Sequence, residues 1–299
     1  TNVNLEFRHI GKAARASAKT AAGSNTEPAG AGAPGPNTKT AAVRLRKASQ
    51  ADVNLLDNYY QESMRNLGLY AERKPEIWAY LLGPSMATDY AFDTYIVEAS
   101  GKAVGYCRIP RKGFGDALIL GECSHLPDDC FLGLYLRLKE LADKAGKPFI
   151  RVNLGPTHPA VLAAKDLGAT ETPSYAWQIR LVEPEAFFRA ITPVLETRLQ
   201  ESELAGYSGD FELYLYTHSI KLHFASGRVS HISVLDADES PESGLRAQIP
   251  PNLLVPIVLG QRSYAECAAF YPDCRSVSKA ARFLETLFPP MSGFFHCPY

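Results

Sequence analysis

Seven histidines and six cysteines are the side chains here that could hold a metal ion or act as thiol nucleophiles, and their spacing decides what they do. His9, His125, His158, His218, His223, His231 and His296 never fall into an H-x-x-E-H or H-E-x-x-H pattern, so no metal site is expected. Cys107, Cys123, Cys130, Cys267, Cys274 and Cys297 include no C-x-x-C, and a chain of this size needs no disulfide staples. They read as reduced thiols of a cytoplasmic protein. No G-x-S-x-G elbow sets a serine on a strained turn, so hydrolase chemistry has no support. Trp78, Tyr175 and Trp177 can line a substrate cleft or simply fill a core. The Gly-x-Gly fragments of AGAGAPG lie in a low-complexity stretch and cradle no phosphate.

The frame that must carry any site is set first by size. A chain of 299 residues exceeds what one hydrophobic core supports, so two compact domains and a tail are expected. Apolar residues at 46% and charged residues at 21% are ordinary for a globular protein, and no apolar run reaches the length of a membrane span. The 31 basic and 32 acidic residues are evenly spread, which leaves no field to draw in nucleic acid or anionic lipid. The composition leaves a monomer and a homo-oligomer both open. The first residue is Thr, and the opening lacks the plan of a signal peptide, which reads as a fragment or a processed product.

Residues 12–42 are mostly Ala, Gly, Thr, Ser, Pro and Lys, too little apolar surface to offset ordering entropy. Residues 1–42 are therefore read as a flexible linker carrying a remnant of an upstream domain. Regular pattern begins at Val43. VRLRKAS alternates as a strand; Val53, Leu56, Tyr60, Met64 and Leu67 repeat at helical spacing; PEIWAYLLG is a short helix entered at Pro75 and stopped at Gly83. TYIVEA and KAVGYCRI form a hairpin about Ser100-Gly101, and ALILGECSH is a further strand. Residues 128–146 are a long amphipathic helix stopped by Gly146; a strand in FIRVNLGP, a helix in HPAVLAAKDLG and a last strand in SYAWQIRLV follow.

This order of elements over residues 43–182 resembles the GCN5-related N-acetyltransferases, and Leu167-Gly168-Ala169 resembles the turn in that family's closing half. The resemblance implies an α/β domain, a mixed sheet with flanking helices, that moves an acetyl group from acetyl-CoA to an amine. It also implies a phosphate-binding loop, Q/R-x-x-G-x-G/A, at the start of the long helix. Here that loop reads His125-Leu126-Pro127-Asp128-Asp129-Cys130, with no glycine and two carboxylates where the anion would sit. Asp128 or Asp129 is expected to cap the helix and repel phosphate, so the cofactor pocket is read as disabled. By the same resemblance Glu122 lies where a general base is often placed; its other reading is an edge or solvent-facing carboxylate beside Cys123.

Residues 183–299 change pattern to a helix, three strands (DFELYLYT, SIKLHFA, RVSHISVLD) and further helices, an α+β domain. IPPNLLVPIVLGQRSYAE with the later YPD resembles a sterol-carrier-type domain. The pairing of the two domains resembles the enhanced-intracellular-survival-type acetyltransferases, in which a first acetyltransferase domain holds CoA and a middle one is degenerate. On that resemblance Glu6 to Gly11 is the closing strand of a preceding domain, acetyl-CoA is bound by a domain absent from this chain, and the terminal carboxylate of Tyr299 serves as base. Two functions of different class follow: part of an N-acetyltransferase acting on a small-molecule amine, or a binding protein holding an apolar ligand in the sterol-carrier-like domain. Phe188, Leu195, Leu254 and Phe283 decide the second by leaving a cavity or filling it.

Overall fold

Alternating apolar residues in Asn2–Glu6 make strand β1, and the Ala- and Lys-rich stretch behind it is a 16-residue helix, α1 (Phe7–Ala22). The computed structural model describes residues 2–22, 40–173, 178–236 and 245–296. The chain divides into two units: Thr1–Asn66 with Tyr70–Ala176 and Phe294–Tyr299, and Leu67–Leu69 with Trp177–Gly293.

In the first unit, β2 (Val43–Lys47), α2 (Val53–Met64), α3 (Pro75–Leu82), β3 (Phe92–Ala99) and β4 (Lys102–Pro110) come in the expected order. The β3–β4 turn has Ser100 at φ 50° and Gly101 at φ 76°, the two positive values that match the twist of a two-residue hairpin. ALILGECSH, expected as one strand, divides at Gly121 into β5 (Leu118–Leu120) and β6 (Glu122–Cys123). A Cβ at Gly121 would lie 2.8 Å from the Phe92 ring, so only glycine lets the chain cross there. After the crossing β6 pairs with β4, while β5 runs parallel to β7 (Phe149–Asn153). Between them lies α4 (Phe131–Lys144), whose Leu134, Tyr135, Leu138 and Ala142 are wholly buried; α5 (Pro159–Asp166) and β8 (Thr170–Thr172) close the unit.

Two expectations are corrected at the N-terminus. Residues 7–22 are helical rather than part of a linker, because KAARASAKTAA is rich in strong helix formers and Ile10 anchors it in the core. Of the stretch Glu6 to Gly11, only Glu6 is strand. β1 lies between β7 and β8, antiparallel to both, with Val3 and Leu5 fully buried. Of the strand expected at 174–182, residues 174–177 are outside the described residues, and 178–182 contain no strand.

In the second unit, α6 (Pro184–Gln200) runs through Pro193 with one ladder bond unmade. β9 (Gly209–Tyr214), β10 (His218–Ala225) and β11 (Arg228–Asp236) form the expected meander, with Ser226 and Gly227 at positive φ. β12 (Leu245–Gln248) adds parallel to β9, and the remaining elements are α7 (Pro251–Val258), α8 (Tyr264–Phe270), β13 (Arg275–Ser276) and α9 (Ser278–Leu287). The sheet order is β11-β10-β9-β12-β13. Phe188, Leu195, Leu254 and Phe283 all belong to one core cluster with Phe211, Leu222 and Phe288. Phe283 meets Phe211, Tyr207 and Phe224 at ring centroid separations of 4.9, 4.6 and 5.4 Å, which is packed core rather than a lined hollow. A shallow groove of about 390 Å³ is lined by Glu183, Pro184, Glu185, Ala186, Arg189 and Val234. Among the described residues no helix is long and apolar enough to cross a membrane.

Candidate functional site

One face of the first unit's sheet carries an ionic row. Thr94 on β3, Arg108 on β4 and Glu122 on β6 are register partners, so the pleat turns all three the same way. Tyr106, two residues before Arg108, shares that face, while Cys107 and Ile109 turn to the opposite core. Over the row pack Tyr60 of α2, Trp78 of α3 and Arg73 from the segment leading into α3. The Arg73 guanidinium carbon lies 4.4 Å from the Tyr60 ring centroid and 4.7 Å from that of Trp78. Trp78 meets Tyr106 edge to face at 5.6 Å. These aromatic walls keep water out of a place that holds three charges.

Glu122 is 1% exposed, so the solvent-facing reading is corrected: the strand crossing at Gly121 carries it beneath α2 and α3. Arg73 donates to both its oxygens, Nη1 to Oε1 at 2.5 Å and Nη2 to Oε2 at 2.9 Å. Arg108 Nη1 donates to Oε2 at 2.9 Å, and the Tyr106 hydroxyl donates to Oε1 at 2.6 Å. Burial alone would raise the carboxyl's pKa; the charges of Arg73 and Arg108 and their hydrogen bonds override it and hold Glu122 well below the usual carboxylate range. Burial and the neighbouring Glu122 charge push Tyr106 well up, so it stays a donor. A carboxylate held this way is a poor acceptor for an amine proton at neutral pH and a strong organiser of two guanidinium groups.

The row is not fully satisfied. Arg108 Nε donates to Thr94 Oγ1 at 3.2 Å, but its Nη2 is shut off from solvent without a partner among the described residues. The segment Phe294–His296 belongs to this unit, with Phe294 seated on Gly155 and the His296 ring 6.2 Å from Tyr60. Apart from a loose approach to the Gly121 backbone, neither His296 ring nitrogen has a hydrogen-bond partner. Burial lowers the His296 pKa, with Glu122 opposing and both arginines reinforcing. Tyr299 lies outside the described residues, as do Tyr175 and Trp177.

The start of α4 does not fit a pyrophosphate. The expected cap by Asp128 or Asp129 is absent: both side chains are exposed, and no side chain caps α4. A 3-10 turn over Asp128–Cys130 does the capping instead. It places the Cys130 N–H on the Pro127 carbonyl at 2.9 Å and the Phe131 N–H on that of Asp128, taking donors that an anion would need. The backbone of Ala41 presses on the same turn. Its N–H donates to the Asp129 carbonyl at 3.0 Å, and a Cβ at Gly133 would lie 2.6 Å from its oxygen. The two uncapped carboxylates add repulsion.

Of the histidines, His158 is structural. Its Nδ1 accepts the Ala160 N–H at 3.1 Å at the start of α5, which leaves Nε2 as the donor to the Cys123 carbonyl at 2.9 Å. Burial and the neighbouring His125 ring push its pKa down to about 3. In the second unit His223 pairs with Asp210 at 2.7 Å and lies against His231. No group of three His, Cys, Asp or Glu converges among the described residues.

Sequence reasoning named Glu122 and Trp78 of this cluster and missed Arg73, Arg108, Tyr106, Tyr60 and His296. One signal was available: Arg108 interrupts the apolar run KAVGYCRI, and an arginine in a central strand needs a buried partner.

No family model matches the chain, and no curated protein matches it. Among solved structures it is similar to a conserved protein of unknown function from Enterococcus faecalis V583, a probable N-acyltransferase. The TM-score is 0.54 at 14% identity, over 100% of this chain and 66% of that one. It is also similar to a GCN5-related N-acetyltransferase from Anabaena variabilis ATCC 29413, with TM-score 0.51 at 15% identity, over 86% of this chain and 63% of that one. The likeness shows that the chain has a GCN5-related N-acetyltransferase fold, and the chain spans just under two thirds of the length of both proteins.

Proposed function

We propose that this chain is the scaffold and substrate-wall portion of an acetyl-CoA-dependent N-acetyltransferase acting on an amine. The observation that carries the reading is the likeness to a probable N-acyltransferase over 100% of the chain and to a GCN5-related N-acetyltransferase over 86% of it, combined with a helix start in the first unit that has no room for phosphate. Acetyl-CoA is then held by a further domain, and no step involving it is assigned to residues of this chain. In this reading Glu122 orders Arg73 and Arg108. The proposed base remains the terminal carboxylate of Tyr299, on the resemblance to the enhanced-intracellular-survival-type enzymes. The second unit is the sterol-carrier-type domain of that arrangement; its meander with helices supports this, and its filled core gives no support to an apolar ligand.

The test is acetyl transfer from acetyl-CoA to a panel of primary amines, measured as CoA thiol release. This chain is expected to be inactive and the longer gene product active. If the longer product releases no thiol with any amine, the acetyltransferase reading is wrong.

A further inference from the structure

Among the described residues, the row around Glu122 sets two guanidinium groups, Arg73 and Arg108, against one carboxylate, with Tyr106 protonated. Asp57, half-buried at the margin of the row, takes the Trp78 indole N–H at 3.2 Å and forms no ion pair with either arginine, whose partner is Glu122. Arg108, 3% exposed, keeps an N–H group without a partner among the described residues in the same place, and the His296 ring, which approaches the Gly121 backbone, does not accept from it. Burying an uncompensated guanidinium with an idle donor is unfavourable unless an anion arrives to meet it. A singly charged planar anion brings the row to neutrality and offers the in-plane lone pairs a guanidinium prefers; a phosphate dianion would overshoot.

We propose that Arg73 and Arg108, walled by Tyr60, Trp78 and Phe92, form a binding site for one carboxylate group of a small molecule, with the His296 ring as its displaceable cover. Phe92 belongs to the wall because the Arg108 guanidinium stacks on it at 4.7 Å. The cover is suited to leaving. It sits on a segment without helix or strand, held by Phe294 against Gly155, by ring contacts and by the approach of the imidazole to the Gly121 backbone.

The test compares His296→Glu with His296→Gln in the full chain by thermal unfolding, reading Trp78 fluorescence. At an ordinary buried position the acid melts below the amide. Here His296→Glu delivers the missing carboxylate and is expected to melt higher by several degrees. In parallel, His296→Ala is titrated with sodium acetate against sodium chloride and imidazole at matched ionic strength. Acetate alone is expected to raise the melting temperature, saturably, by about 3–6 °C at tenfold over its Kd. Either of two results overturns the proposal: His296→Glu melting at or below His296→Gln, or acetate acting no differently from chloride. Should His296→Ala fail to fold, the Glu and Gln pair decides alone. Both readouts are independent of acetyl transfer, so failure here and failure of the proposed function are separable.

Discussion

Replacing Glu122 with Gln keeps the shape of the side chain and removes the one negative charge that Arg73 and Arg108 share. The arginine side chains are 10% and 4% exposed, so neither can turn to water for compensation. Breaking a buried ion pair from one side costs about 3–5 kcal/mol. For a unit of this size each kcal/mol moves the melting temperature by about 2–4 °C, so Glu122→Gln is expected to melt roughly 6–20 °C lower. The sign with pH follows from the depressed carboxyl. Its stabilisation is fully present above the unfolded value of about 4.3 and is lost as pH falls through the lower folded value. The gap between wild type and variant is therefore constant from pH 8 to 5 and narrows below about pH 4.3. Urea unfolding at a series of pH values, followed by tryptophan fluorescence, measures it; the chain has two tryptophans, and Trp78 lies against the row. A gap under about 1 kcal/mol at pH 7, the size of an exposed pair, would refute the assignment of Glu122 as the organising anion. So would a gap undiminished at low pH.

Gly133 lies inside α4, where Gly→Ala ordinarily stabilises by about 0.5–1 kcal/mol. The Ala41 carbonyl reverses the sign, and Gly133→Ala is expected to lose about 1–3 kcal/mol in urea melts. Leu5→Ala is expected to cost about 2–5 kcal/mol, because β1 is an interior strand of its sheet; a loss near zero would mean residues 1–6 are dispensable. His158, neutral in the fold with its pKa lowered to about 3, makes stability fall as pH drops below about 6.5, by up to about 1.4 kcal/mol per unit. In His158→Gln that slope is expected to flatten between pH 6 and 4.5 in the same melts. Asp128→Asn with Asp129→Asn removes the charge at the start of α4 but leaves its closed turn, so the double variant is expected to remain unable to bind acetyl-CoA by calorimetry.

What could be read from the sequence was what period and punctuation encode. The Ser100-Gly101 and Ser226-Gly227 turns, the Pro75 entry and Gly83 stop of α3, and the buried face of α4 all follow from local rules, and all appear where expected. Features decided by distant partners were not legible. KAARASAKTAA looks like linker until Ile10 has a core to enter, and NVNLE is too short to announce a central strand until β7 and β8 flank it. Asp128 and Asp129 carry a capping signature, but the backbone of Ala41 and a 3-10 turn occupy that role first. Glu122 was visible as an acid on a strand, whereas its burial depends on the crossing at Gly121 and on Arg73, some fifty positions earlier in the chain.

The start of α4 is closed to the pyrophosphate of CoA by its own turn and by Ala41, and titration calorimetry tests this directly. Acetyl-CoA injected into this chain is expected to give only heats of dilution, and into the longer gene product a saturable isotherm with one site per chain. Saturable binding to this chain alone, abolished by substitutions in the Asp128–Cys130 turn, would contradict it.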